Sequence, residues 1–229
     1  MLEVAIRSKT YRTASGEDLA VLRDVDFTVR PAEFVCITGP SGAGKTTLLR
    51  LILGIDADFQ GSIRSPDGRI AAVFQEPRLL SWRTVEDNLR LALPHDLAGT
   101  QLSPLLELLG LGGTEKLYPG ELSLGMARRV ALARAFAVQP ALLILDEPFV
   151  SLDDTTATRL RHVLIDIWSA RPATVLMVTH NLREALELAD RIFVLSPRPG
   201  TILADHRLDT PRQDRTQEWI EHTMSDLVR

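Results

Sequence analysis

The sequence predicts an α/β core built round a phosphate-binding loop, with an antiparallel β-subdomain at its N-terminus and an inserted helical subdomain. Three observations carry this. Residues 39–46, Gly39-Pro40-Ser41-Gly42-Ala43-Gly44-Lys45-Thr46, read G-x-x-x-x-G-K-[ST]. They lie between an apolar, strand-like run, Phe34-Val35-Cys36-Ile37-Thr38, and a helix-like run over 47–53. From about residue 83 to 139 the texture turns helical, and after 140 strands and helices alternate again.

Each element follows from a local pattern. Residues 1–38 alternate apolar and polar positions around a turn-like break at 13–18, which predicts a strand meander leading into the loop. A further strand covers 69–74. Thr84, with Glu86 and Asp87 in the first turn, opens a helix that Pro94 ends. Ser103 as cap, Pro104 at the first helical position and Gly110 as terminator bound another. Ser123 opens a longer helix to about Val138, stopped near Pro140. Residues 141–145 read as a strand, and 154–170 as a helix with Leu160, Val163, Leu164, Ile167 and Trp168 on one face. Strands at 174–179, 191–195 and 201–205 and a helix at 182–188 follow, with Pro197-Arg198-Pro199-Gly200 as a turn. A terminal helix covers 217–227. The predicted division is a first core part at 1–82, a helical subdomain at 83–139 and a second core part at 140–229.

Bulk properties narrow the class. At 229 residues and 45% hydrophobic, the chain can bury a substantial core. A net charge of −4 argues against nucleic acid as a partner. No apolar run is long enough to span a bilayer, and the N-terminus lacks the basic-then-apolar pattern of a secretory signal. Cys36 is the only cysteine and reads as a small core hydrophobe, which fits a reducing compartment. The expectation is a soluble cytoplasmic protein, a property compatible with docking on a membrane partner.

The loop supplies the chemistry. Its glycines let backbone N–H groups curl round phosphate oxygens where a Cβ would clash. The helix start adds partial positive charge, and Lys45 adds a full one. Lysine occurs only at 9, 45 and 116, so a compact ammonium stands where a point charge fits a phosphate. The Thr46 hydroxyl is placed to ligate Mg²⁺. A second constellation is the apolar run 141–145 ending in Asp146-Glu147, two carboxylates at a strand's C-terminal edge. Asp146 there would hold Mg²⁺ through its water shell, and Glu147 would orient and polarise an attacking water. Three further residues leave two readings open. Gln75 stands near Mg²⁺ and the water or is a solvated loop residue. His180 bonds a γ-phosphate or is structural, and the Tyr11 ring stacks on adenine or packs in the core.

Together these residues resemble the ATP-binding subunit of ABC transporters over nearly the whole chain, which implies a P-loop NTPase core of RecA-like type. On this resemblance Tyr11 is the adenine-stacking aromatic, 39–46 the Walker A, Gln75 the Q-loop and His180 the switch histidine. Leu122-Ser123-Leu124-Gly125-Met126 stands where the signature motif belongs, Asp146 and Glu147 match the Walker B and catalytic glutamate, and Ser151-Leu152-Asp153 the D-loop. The resemblance implies ATP and Mg²⁺ as cofactors, with Glu147, His180 and Gln75 catalytic. ATP would be held by Tyr11 and by Gly39, Pro40, Ser41, Gly42, Ala43, Gly44, Lys45, Thr46 and Thr47. Thr46, Gln75 and Asp146 would hold the metal, while Ser123, Gly125 and Asp153 act in trans on the nucleotide of a second copy. Transmembrane permease subunits and, through them, an extracytoplasmic solute-binding protein are the other implied partners, at the inner face of the cell membrane.

Within the family, the stretch 74–82 resembles importers of nitrate, sulfonates and taurine, although Trp82 with Leu79-Leu80 also reads as packing between the core and the helical insert. The signature segment departs from the usual Leu-Ser-Gly-Gly-Gln at Leu124 and Met126. Ser123 as a cap and the N–H groups after it still form a helix-end anion site. An exporter ATPase, a non-transport ABC ATPase and a P-loop kinase are the competing readings. The chain carries neither a long heptad insert nor a second P-loop, which weakens the non-transport reading.

Overall fold

The computed structural model describes residues 1–227. In chain order the elements are β1 (Leu2–Arg12), β2 (Asp18–Val29), β3 (Phe34–Thr38), α1 (Lys45–Ile52), β4 (Gln60–Arg64) and β5 (Ile70–Val73). Next come α2 (Val85–Arg90), α3 (Ser103–Leu108), α4 (Leu124–Ala137), β6 (Leu142–Asp146) and α5 (Asp154–Ala170). The last are β7 (Thr174–Val178), α6 (Leu182–Leu188), β8 (Arg191–Leu195), β9 (Ile202–Arg207) and α7 (Gln217–Leu227). They form two compact units, one of residues 1–67 with those from Thr174 onward, the other of Gly68–Ala173.

In the first unit β1 pairs antiparallel with β2 on one side and with β4 on the other. The expected meander over 1–38 is therefore a hairpin whose third strand is β4, and β3 belongs to a different sheet. The reason lies in burial. All five residues of β3 are buried, so it runs parallel between β7 and β8 with both faces covered. Its sequence is apolar without alternation, which is how a central parallel strand reads. β4 is not legible in the sequence because Gln60-Gly61-Ser62 is polar and only Ile63 marks an inward face. β9 closes the second sheet antiparallel to β8. The Phe27 and Phe193 rings meet at 5.0 Å and tie the two sheets together. α6 covers β3, and α7 covers α6 through buried Ile220.

In the second unit β5 and β6 pair in parallel, with Ile70 opposite Leu142. α4 packs against α2, α3 and β5. Two helix boundaries and one helix face in this unit differ from the sequence reading. α2 ends at Arg90, and Pro94 instead precedes a 3₁₀ turn over His95–Leu97. α3 is capped by Leu102 rather than Ser103, because Leu102 is buried and its carbonyl accepts the first helical N–H, from Leu106 at 3.0 Å. On α5, Val163 is only half-buried and Arg161 takes an inward place, its guanidinium 5.9 Å from the Phe149 ring.

Candidate functional site

The first unit holds the phosphate loop. β3 delivers the chain to Gly39, and α1 leaves from Gly44, whose φ of +97° only glycine adopts without strain. A Cβ at Gly44 would also stand 2.7 Å from Leu22 Cδ2 and 3.1 Å from the Val21 carbonyl oxygen. Like α3, α1 starts without a side-chain cap, and it alone of the two starts on a left-handed glycine. α2, α4, α5 and α6 begin on side-chain caps, Thr84, Ser123, Asp153 and Asn181, whereas α1 begins on Gly44 without one. A helix start that no side chain caps is suited to an anion. The Lys45 ammonium is held at the same loop, donating to the Gly39 carbonyl at 2.7 Å and the Pro40 carbonyl at 2.9 Å.

The turn between β8 and β9 braces this loop, a role that sequence reasoning missed. Gly200 lies so close that a Cβ there would sit 2.1 Å from the Ala43 carbonyl oxygen. Its N–H donates to Val21 and its carbonyl accepts from Arg23. Glycine is required at 200 by approach, not by the turn itself. Arg198, exposed on the same turn, donates from Nε to the Gly42 carbonyl at 3.2 Å and brings a second cation to the phosphate loop. The available signal was a Pro-Arg-Pro-Gly run between two strands, which reads first as a turn.

Tyr11 stands near the end of β1, half-buried, its hydroxyl donating to Asp56 Oδ2 at 2.8 Å. Burial pushes its phenol above the usual range, helped by the Asp56 carboxylate and opposed by the Thr47 hydroxyl of α1. His180 follows β7 and is exposed; its neighbour Thr179 donates to Glu184 at 2.6 Å, and the Asn181 N–H returns a bond to Thr179 Oγ1 at 3.0 Å. That pair fixes the backbone on either side of the imidazole.

The second unit carries the acidic constellation. β6 is buried along its whole length and ends in buried Asp146. Glu147 then adopts φ +47°, a left-handed conformation that a non-glycine residue takes only when its surroundings impose it. Gln75 lies exposed just beyond β5. The segment after it is pinned by Arg134 of α4, which donates to the carbonyls of Pro77 (2.9 Å) and Arg78 (2.8 Å). Asn88 pins the next turn: its amide donates to the carbonyls of Leu80, Arg83 and Thr84 and accepts from the Leu80 N–H at 2.7 Å. Trp82, on that turn, is 70% exposed, so it does not serve as packing between core and insert.

At the start of α4, Ser123 Oγ accepts from the Met126 N–H at 3.2 Å. Gly125 lies against α5, where a Cβ would meet Thr156 Cγ2 at 3.1 Å. Asp153 caps α5 by accepting from the Thr156 N–H at 2.9 Å, and bonding from Thr156 holds its carboxyl below the usual range. Arg128 of α4 donates to the Val150 carbonyl in the segment leading to Asp153. The signature-like turn and the 151–153 segment are thus braced against each other. Among the described residues no cluster of three or more His, Cys, Asp or Glu could hold a metal ion, and no helix is long and apolar enough to cross a membrane.

The family described as ABC transporter matches residues 22–150. An aliphatic sulfonates import ATP-binding protein of Pseudomonas syringae pv. tomato is 43% identical over 197 residues, 85% of each chain. One from Bacillus licheniformis is 41% identical over 210 residues, covering 88% of this chain and 82% of that one. The dimeric bacterial ABC transporter cassette MJ0796 superposes with a TM-score of 0.79 at 27% identity, over 92% of this chain and all of that one. The same cassette in a post-hydrolysis state with ADP and Pi gives 0.78 at 26% identity, with the same coverage. The chain belongs to the ABC transporter family, as an ATP-hydrolysing cassette.

Proposed function

We propose that this chain powers an importer of aliphatic sulfonates or closely related small solutes by hydrolysing ATP. The observation that carries the solute class is the likeness, at around two-fifths identity over most of the chain, to proteins named as sulfonate import subunits.

In this reading the loop 39–46 and Thr47 hold the triphosphate, with Lys45 as its point charge. Tyr11 stacks on the adenine. Thr46, Asp146 and Gln75 would hold Mg²⁺. One carboxylate, one hydroxyl and one neutral amide suit this ion, which is usually held by one or two carboxylates together with substrate phosphates. When bound, Mg²⁺ neutralises charge on the phosphate oxygens. Glu147 orients and polarises the attacking water, for which its fixed left-handed backbone is an asset, and His180 bonds the γ-phosphate.

Two copies act together. Ser123 and Gly125 of one chain, with Asp153, close over the ATP held by the Walker A of the other. The bond from Arg128 to Val150 supports joint movement of these trans-acting parts. The exposed Trp82 turn, anchored by Asn88 and followed through Arg134 into α4, is the surface from which motion passes to a permease. A solute-binding protein would reach the system through that permease. The functional division runs at 1–82, 83–139 and 140–229, and the working location is the cytoplasmic face of the membrane.

Uptake of a radiolabelled alkanesulfonate by cells lacking and regaining the chain tests the proposal. Wild type is expected to restore uptake and Glu147→Gln to leave it at the deletion level. Restoration by Glu147→Gln, or uptake indifferent to the deletion, would contradict it.

A further inference from the structure

Lys9 is 1% exposed and plays no part in the phosphate chemistry. A buried ammonium must be paired to stay charged. The path of β1 explains how it comes to be inside. Leu2, Val4 and Ile6 face inward at even positions. The pairing with β4 then skips Arg7, with Ile6 opposite Gly61 and Ser8 opposite Gln60. One extra residue moves the inward face to odd positions, so Lys9 and Tyr11 share a face.

The Asp56 carboxylate bridges the two, and Asp58 Oδ2 stands 3.5 Å from the same ammonium. Lys9 Nζ donates to Asp56 Oδ1 at 3.0 Å and to the Asp58 carbonyl, and the Tyr11 hydroxyl donates to Asp56 Oδ2. The ammonium also stands over the Tyr11 ring, 4.4 Å from its centroid. Burial would lower the Lys9 pKa, but the Asp56 bond and charge outweigh it and raise the value. Asp56 is itself tied to the end of α1: its N–H and that of Ile55 both donate to the Arg50 carbonyl, at 3.3 and 2.9 Å. α1 is the helix whose other end carries the phosphate loop.

We propose that Lys9 and Asp56 are positioning residues that lock the Tyr11 ring at a fixed distance from the phosphate loop. The base and the phosphates of ATP are then gripped by parts of one rigid element. The ammonium takes one face of the ring and directs the base to the other, and fixing the ring beforehand removes an ordering cost from binding. The inference rests on Tyr11 being the base-stacking residue.

Affinities of the full chain for Mg·ATP and for inorganic tripolyphosphate, measured by calorimetry, test it. Lys9→Met alone strips the ammonium from a carboxylate that is only 13% exposed, so the test uses Lys9→Met/Asp56→Leu, checked for its unfolding temperature. It is expected to bind ATP about tenfold more weakly and tripolyphosphate within about twofold of wild type, as is Tyr11→Ala. Tyr11→Phe keeps the ring and the Lys9–Asp56 pair but cuts the ring's tether, and should lose about two- to threefold for ATP alone should the double variant not fold. A weakened Tyr11→Ala beside an unaffected double variant or Tyr11→Phe would overturn the positioning role and leave the stacking reading intact. An unaffected Tyr11→Ala would overturn both. Equal losses for ATP and tripolyphosphate would mean that the pair merely supports α1, and the proposal would fall.

Discussion

Two helix starts in this molecule face phosphate in the proposed mechanism, and they are built in opposite ways. α1 begins on a left-handed glycine with no side-chain cap, packed so tightly that a Cβ has no room. α4 begins on Ser123, an ordinary extended cap whose hydroxyl already satisfies the Met126 N–H, and the next residue, Leu124, is 49% exposed. The first is set by backbone conformation and close approach, so it tolerates almost no change. The second is set by a cap that many sequences supply. This difference explains how the chain can keep every residue of the G-x-x-x-x-G-K-[ST] pattern while departing from the usual signature at Leu124 and Met126.

The largest expected effect is at the rigid end. Gly44→Ala forces a left-handed alanine at about 1–2 kcal/mol and pushes its Cβ into Leu22 and Val21. ATP turnover should fall at least about a hundredfold, since misplacement near 1 Å is enough for such a loss. Turnover within a few-fold of wild type would end the contrast. Ser123→Ala comes next. It removes a cap worth about 1 kcal/mol and a group that in the proposed mechanism faces the partner's nucleotide, so hydrolysis should drop about tenfold or more while binding of ATP to the single chain is unchanged. Calorimetry beside steady-state turnover separates the two. Leu124→Gly is expected to change turnover of the coupled complex by less than about tenfold. A larger gain would show Leu124 to be a brake and the second helix start to be as demanding as the first.

The smallest effect is a control away from both ends. Arg191 donates to both oxygens of Asp205 at 2.6 Å, and this bonding holds the Asp205 carboxyl below its usual range. A depressed carboxyl contributes stability that is fully present above its unfolded value, about pH 4, and lost as pH falls through the lower folded value. Asp205→Asn should therefore cost about 1 kcal/mol at neutral pH, a modest figure because Asp205 is 44% exposed, and the gap from wild type should close on acidification. Denaturant melts at pH 7 and pH 3 would show it, with turnover unaffected.

What the sequence disclosed follows the same contrast. Motifs built from residue identity at fixed spacing were legible: the phosphate loop, the acidic end of β6, the Ser123 cap, and the helices at Leu182–Leu188 and Gln217–Leu227, whose bounds match the reading. Features built from approach or from pairing were not. Gly200 looks like a turn glycine until the Ala43 carbonyl is found against it. Gln60–Arg64 is a strand because β1 offers it an edge, not because its residues prefer one. The skip at Arg7 moves Lys9 inward against its charge, and no periodicity through Ile6 foretells it. The left-handed backbone of Glu147 is likewise a property of its surroundings.

In the proposed mechanism ATP is cleaved only between two copies. Light scattering of Glu147→Gln with Mg·ATP tests it most directly. Because the glutamate is assigned to activate water and not to bind nucleotide, the account predicts that this variant retains ATP, loses turnover at least about a hundredfold and accumulates as a dimer of twice the chain mass. A variant that stays monomeric with ATP bound, or that hydrolyses as a monomer, would contradict the account.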